Sequence, residues 1–249
     1  MKVPNIIYED NDIIVCYKPS GMATQTRRIG QQDMESFIRN YRAAKKEPSY
    51  VGIVHRLDQP VEGVMVFAKN QKAAASLSRQ IKEHTTEKYY YAASYGRKNI
   101  STDNTKNIDD KHADGKAESD SLICTLTDYI SFDRRTNISK IVTANAPQSK
   151  KAVLEYKIVQ PTDNVSVETQ ITVFDIKLLT GRHHQIRLQL ANIGYPLIGD
   201  TKYGGENAER QQLALCSYKI VFDHPANGKR MKFEIEPQNR FLKQLTTFA

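Results

Sequence analysis

"HRLDQPVEG", His55 to Gly63, places two opposite charges, a leucine and a proline between two apolar runs, "YVGIV" at 50–54 and "VMVFA" at 64–68. Short apolar runs bounded by Pro and Gly read as strands, so this is a strand–turn–strand unit. A turn can use any polar residues, which leaves Asp58 either a turn residue or a reagent. Arg56 offers the plain alternative of a local ion pair. Asp58 and Glu62 also lie four apart, and two carboxylates can divide acid and base roles in cleaving a glycosidic bond. Pro60 between them argues against a regular helix, so the spacing leaves their separation open.

The neighbouring stretches give the fold class. Upstream, "NIIYEDNDIIVCYKPSG" reads as two short strands around an Asn-Asp turn, and "DMESFIRNYRAAKK" sets Met34, Phe37, Ile38 and Tyr41 at helical spacing. Downstream, "QKAAASLSRQIKEH" is an amphipathic helix with Ala74, Leu77 and Ile81 on one face, and "KYYYAASYG" is strand-like. Residues 98–120 are almost wholly polar, small or charged and are expected to be a mobile insertion. After them, "SLICTLTDYI", "SKIVTANA", "KKAVLEYKIVQ" and "VSVETQITVFDIKLLT" form a succession of strands. A helix is expected from about Gly181, with Ile186, Leu190 and Ile193 on one face and Gly194 as its stop. "LALCSYKIVFDHPANGKRMKFEIE" reads as a hairpin turning at Asn227-Gly228, and "RFLKQLTTF" as a final short helix. Strands joined mostly by turns, without regular crossover helices, predict an α+β fold with a mixed, largely antiparallel sheet in a single domain over 1–249.

Composition narrows the function. Of 249 residues, 36 are Lys or Arg and 28 are Asp or Glu, a net charge of +8 that favours polyanionic partners. Bases concentrate late in the chain, in "GRHHQIR" and "NGKRMK". No stretch approaches the roughly 20 apolar residues of a membrane span, and the start of the chain has no signal-peptide core. Cys16, Cys124 and Cys216 are far apart in apolar runs and are expected to be buried thiols of a reducing cytoplasm. Metal motifs are absent, and His183 and His184, as helix neighbours, would point about 100° apart and so not share an ion. No phosphate-binding loop pattern occurs, so nucleotide-dependent chemistry is not expected.

The order "HRLD…G…FAKN", then "KxYxA" at 88–92, then "GRxHQIRxxLAxxGxPLxGDxxYGG" from 181, resembles the catalytic domain of the RluA-type RNA pseudouridine synthases. The likeness extends to "IIYEDNDIIVCYKPSGM" and to the closing hairpin, and omits the 98–120 insertion and the tip of the 131–150 region. It implies isomerisation of uridine in rRNA or tRNA, without metal, nucleotide or organic cofactor. It makes Asp58 the nucleophile and sets Tyr90 against the target uracil. Arg187 pairs with Asp58 in this reading, and Arg182 is a phosphate or supporting contact. His55, Arg56, His184 and Gln185 complete the expected substrate-binding set. His184 and Arg187, three apart on a helix, would share the face turned to the cleft.

These residue types suit the chemistry. Pseudouridine formation breaks N1–C1′, turns the base and rejoins it through C5. A carboxylate can add to C1′ or C6, or help form a glycal, and these alternatives stay open. An aspartate in water, with a pKa of about 3.9, needs no upward tuning for the task. Flipping the uridine out of its stack costs a few kcal/mol. The chain departs from the family's "HRLDxxTSG": Gln59, Pro60, Val61 and Glu62 stand there, and the base that often follows the aspartate is missing. No small S4-type RNA-binding domain is expected before the catalytic one, so RNA capture is expected from the basic face, the insertion or "FDRRTNISK", where Arg134, Arg135 and Lys140 flank a turn. A monomer is the expected state. The alternatives are a catalytically silent RNA-binding module and a carboxylate-pair glycosidase using Asp58 and Glu62.

Overall fold

The computed structural model describes residues 4–28, 30–95, 123–159, 171–204 and 211–243. The first third of the chain supplies β1 (Asn5–Glu9), β2 (Ile13–Lys18), α1 (Met34–Ala44), β3 (Gly52–Ile53), β4 (Glu62–Ala68), α2 (Gln71–Lys82) and β5 (Glu87–Tyr95). The remainder gives β6 (Cys124–Asp133), β7 (Ile138–Val142), β8 (Lys150–Val159), β9 (Ile171–Leu178), α3 (Gln185–Asn192), β10 (Leu215–Asp223) and β11 (Arg230–Glu234). All the strands join one sheet in the order β1-β2-β4-β10-β5-β9-β8-β6-β7, with β11 on β10 and β3 on β4. Only β4 and β10 run parallel; every other described pairing is antiparallel. This is the expected α+β class.

Local signals explain the helices. Asp33 caps α1 in a reciprocal box with Ser36, and the Asn70 side chain caps α2 through the Ala73 amide. The buried stripe of α2 is Ala73, Leu77 and Gln80, one step round from the expected Ala74–Leu77–Ile81, because Gln80 is drawn in by the backbone of Asp223. β4 is buried at every residue and serves two cores at once. Met65 and Phe67 pack on the α1 and α3 side, while Val64, Val66 and Ala68 pack on the α2 side. β5 divides likewise: Tyr90 and Ala92 join the first core, whereas Tyr89 and Tyr91 face Tyr218 on the other.

Three sequence expectations change. α3 starts at Gln185 rather than near Gly181, because His184 takes a left-handed conformation with φ 54° and ψ 24°. It is also not amphipathic: Gln185 through Leu190 are all buried. Cys124 is only half-buried, since β6 lies near the sheet's edge, whereas Cys16 and Cys216 are buried free thiols. The 98–120 insertion lies outside the described residues, as does most of the expected last helix, whose described start, 240–243, is a turn.

Two glycines set the approach of strands and loops to the site. Gly63 has φ +148°, and a Cβ there would lie 2.5 Å from both Cβ and O of Ser217, so β4 and β10 meet only through glycine. Gly199, at φ +74°, brings its backbone so near Gln212 that a Cβ would lie 2.6 Å from the Gln212 carbonyl, and it delivers Asp200 into the core.

Candidate active site

The turn between β3 and β4 is tied down along its length. Leu57 is held on both sides of its backbone by the Thr24 hydroxyl, which donates to its carbonyl at 2.9 Å and accepts from its amide at 3.2 Å. The Gln59 carbonyl accepts from the Gly21 amide at 2.9 Å and the Lys18 ammonium at 3.2 Å, and Ser20 Oγ donates to the Pro60 carbonyl at 2.7 Å. His55 Nε2 accepts from the Val66 amide at 3.0 Å, which fixes the entry of the turn to β4. Burial, then the charge of Lys88, pushes His55 down to about 3, so its ring is a neutral acceptor at ordinary pH. The Asp58 carbonyl closes the turn on the Val61 amide at 3.0 Å. With the backbone so engaged, the Asp58 side chain is left over, 31% exposed.

Lys18 is the deepest of these ties. It is 0% exposed, and its ammonium donates to the carbonyls of Pro19, Met22 and Gln59 at 3.1, 2.6 and 3.2 Å. Burial pushes it down to about 7, with Asp58 and Glu62 pulling the other way. Lys18→Met keeps the side-chain length but takes a donor from all three carbonyls. Those of Gln59 and Pro19 keep the Gly21 and Met22 amides, whereas that of Met22 loses its donor, and an unmet buried polar group costs about 1–3 kcal/mol. We expect that variant to unfold at clearly lower urea, with a slackened 58–61 turn. An unchanged midpoint would refute this account of the turn.

Across from the turn, Arg187 is 4% exposed and held as a rigid fork: Nε and Nη2 donate to the two oxygens of Asp200 at 2.8 and 2.7 Å. Asp200, 1% exposed, also accepts the backbone amides of Lys202 and Tyr203 at 2.9 and 3.1 Å through Oδ1. Burial works against the charge of Arg187, but Asp200 and then Asp58 leave it raised above the ordinary value. The remaining nitrogen, Nη1, faces Asp58 Oδ2 at 3.5 Å. His184 Nε2 approaches the same oxygen at 3.6 Å. The two residues converge on Asp58 because of the left-handed bend at His184, and not because they share a helical face.

The other expected site residues fall in several places. Tyr90 lies on the α3 side of the sheet, 6% exposed, among Leu57, Val61 and Ile186. Burial pushes its phenol up to about 12; a Ser217 hydrogen bond opposes this and the Asp58 charge adds to it. Arg56 is exposed and bears on His183 electrostatically. Arg182 is engaged elsewhere, its Nε donating to the Lys151 carbonyl at 2.8 Å. Gln185 is buried, with Oε1 accepting from Thr180 and the Arg182 amide and Nε2 donating to Val153, so its carboxamide winds the loop before α3. The tip of the β6–β7 hairpin presents exposed Arg134 and Arg135.

Glu62 is not placed beside Asp58 as a second reagent. It is 0% exposed and accepts from Tyr17, Gln212 and the amides of Gln238 and Asn239. Such a carboxylate cannot flank a sugar. His183 and His184 do stand together, their rings 3.7 Å apart, because the second residue is left-handed rather than helical. One ligand atom from each, with one from Asp58, lies within 4.8 Å of the others. A cation placed there would be repelled by the Arg187 guanidinium, whose Nη1 lies 3.5 Å from Asp58 Oδ2. Sequence reasoning missed Asp200 and Lys18, which carry no signal beyond "GD" before a loop and a lysine ending a strand.

The family model described as RNA pseudouridylate synthase matches residues 12–192. An uncharacterized RNA pseudouridine synthase of Bacillus subtilis is 30% identical over 222 residues, which take in 89% of this chain and 64% of that protein. One from Aquifex aeolicus is 30% identical over 255 residues, 95% of this chain and 70% of that protein. A protein named ribosomal large subunit pseudouridine synthase D, from Zymomonas mobilis, is 27% identical over 94% of this chain and 69% of its own length. The chain thus spans 64 to 70% of the length of these relatives. Among solved structures, human RNA pseudouridylate synthase domain containing 1 has the same fold, with a TM-score of 0.69 at 20% identity over 94% of this chain and 84% of that one. Its sheet, its "HRLD" turn and a match over residues 12–192 make this chain a member of the RNA pseudouridylate synthase family.

Proposed function

We propose that this chain converts uridine in RNA to pseudouridine and that Asp58 is the reacting group. One observation carries the reading: in a turn whose backbone is fastened at every side, the Asp58 carboxylate is left 31% exposed, facing Arg187. The isomerisation breaks N1–C1′, forms C5–C1′, removes the proton from C5 and adds one to N1, so no co-substrate is consumed. Asp58 acts on the sugar or the base while they are apart. Arg187, immobilised by Asp200, steadies and aims that carboxylate. Tyr90 presents its small uncovered part to the flipped base. Arg56, Arg182 and the Arg134–Arg135 tip supply positive charge for the phosphates on either side.

Relatives named for the ribosomal large subunit make ribosomal RNA the first substrate to try and transfer RNA the second. The test is a map of pseudouridines in total RNA from a strain lacking this gene. Sites that vanish, and return with the wild-type gene, name the substrate. An unaltered map, together with RNA binding by the purified chain, would leave a silent binding module and defeat the proposal.

A further inference from the structure

We propose that His184 is a positioning residue for Asp58: it presents an Nε2–H to Oδ2, and Tyr203 sets the tautomer that makes this possible. This rests on Asp58 being the reacting group. The argument begins at Ser139, 1% exposed on β7. Its backbone N–H donates to the Tyr203 hydroxyl oxygen at 2.9 Å, so that oxygen already serves as an acceptor. His184 Nδ1 lies 2.9 Å from the same hydroxyl. The phenol proton, directed at Nδ1, leaves the ring hydrogen on Nε2. The other tautomer would set the Nε2 lone pair against the Asp58 carboxylate 3.6 Å away. Burial and the charges of Arg187, His183 and Lys202 push His184 down to about 2, so the ring carries one proton only.

The neighbouring ring obeys the opposite rule through the same serine. Ser139 Oγ donates to the His183 carbonyl at 2.8 Å, which leaves its lone pair to accept His183 Nδ1–H at 3.1 Å. Two imidazoles 3.7 Å apart, tilted by 35°, therefore hold opposite tautomers. The left-handed bend at φ 54° puts the second of them beside Asp58, and histidine is among the residues that tolerate such a bend. Oδ2 is then flanked by Arg187 at 3.5 Å and His184 at 3.6 Å, while Oδ1 has no hydrogen-bond partner among the described residues. The two oxygens differ: Oδ2 is anchored and Oδ1 acts. At 3.6 Å the His184 contact is electrostatic in the free protein, and catalytic contacts of this kind close up when substrate binds.

The deciding experiment is long-range proton–nitrogen correlation on the full chain labelled with 15N-histidine, with His184→Asn and His183→Asn used to assign the rings. In wild type, His184 should show a protonated Nε2 and a bare Nδ1, and His183 the reverse. Tyr203→Phe should abolish the single tautomer at His184. In turnover of a reactive RNA, Tyr203→Phe and His184→Asn should each lower kcat roughly tenfold, the scale of one contact to a charged group, with KM unchanged. His184→Gln, whose amide N–H can stand near the place of Nε2, should recover part of the loss. A wild-type His184 protonated on Nδ1 overturns the inference, whatever the activity of the variants. So does an unchanged kcat in a folded Tyr203→Phe protein. A wild type that makes no pseudouridine, yet shows both tautomers as stated, overturns the functional reading and leaves the geometry of Asp58 standing.

Discussion

Asp58→Asn should lower pseudouridine formation by at least about 10⁴-fold, the scale on which enzymes lose a group that acts covalently or as the essential base. RNA affinity should stay within about twofold, because one rim-side charge among many basic contacts moves little of the binding energy. The amide is isosteric, and the turn that carries it is fastened through its backbone, so the fold should be unaffected. The variant even removes a negative charge from a surface meant for phosphates. Product measured by pseudouridine-specific chemistry, alongside filter binding at fixed salt, separates the two effects. Product formation within tenfold of wild type would remove Asp58 from the reaction and with it the functional reading.

The second large effect is expected at Asp200, which contacts no substrate. Asp200→Asn leaves the Arg187 guanidinium, 4% exposed, with a neutral partner in place of a two-point carboxylate. Breaking a buried ion pair from one side costs about 3–5 kcal/mol, since the remaining charge stays desolvated. The urea midpoint should fall accordingly. Activity should fall further, because Arg187, released from its fork, can close onto Asp58 and tie up the carboxylate it now only steadies from 3.5 Å. Removing both charges, as Arg187→Met with Asp200→Asn, should restore much of the stability and none of the rate. Were the single variant as stable as wild type, the buried fork would not be what holds Arg187.

Most of the fold could be read from the sequence because its strands are dense in β-branched and aromatic residues and its turns are marked by Pro, Gly and Asn. The likeness of "HRLD", "KxYxA" and "GRxHQIR" to one family brought Asp58, Tyr90 and Arg187 forward as a set. What escaped reading was non-local or conformational. Nothing in "TGRHHQIR" announces that His184 is left-handed, so helical spacing suggested a shared face where a bend does the work. Glu62 reads as a second acid beside Asp58, yet Tyr17, Gln212 and residues 238–239 enclose it from distant parts of the chain. Lys18 reveals its role through the Gln59 carbonyl, 41 positions on, and Asp200 through Arg187, 13 positions back across a loop.

The middle of the sheet has a bearing on when the molecule becomes competent. β4, which leads out of the Asp58 turn, never touches β5, which carries Tyr90; β10 lies between them and pairs with both. Translation delivers that bridging strand more than a hundred residues after either neighbour. A nascent chain still short of β10 lacks the strand that joins the acid's side of the sheet to the phenol's, so the two halves of the site can come together only late in synthesis.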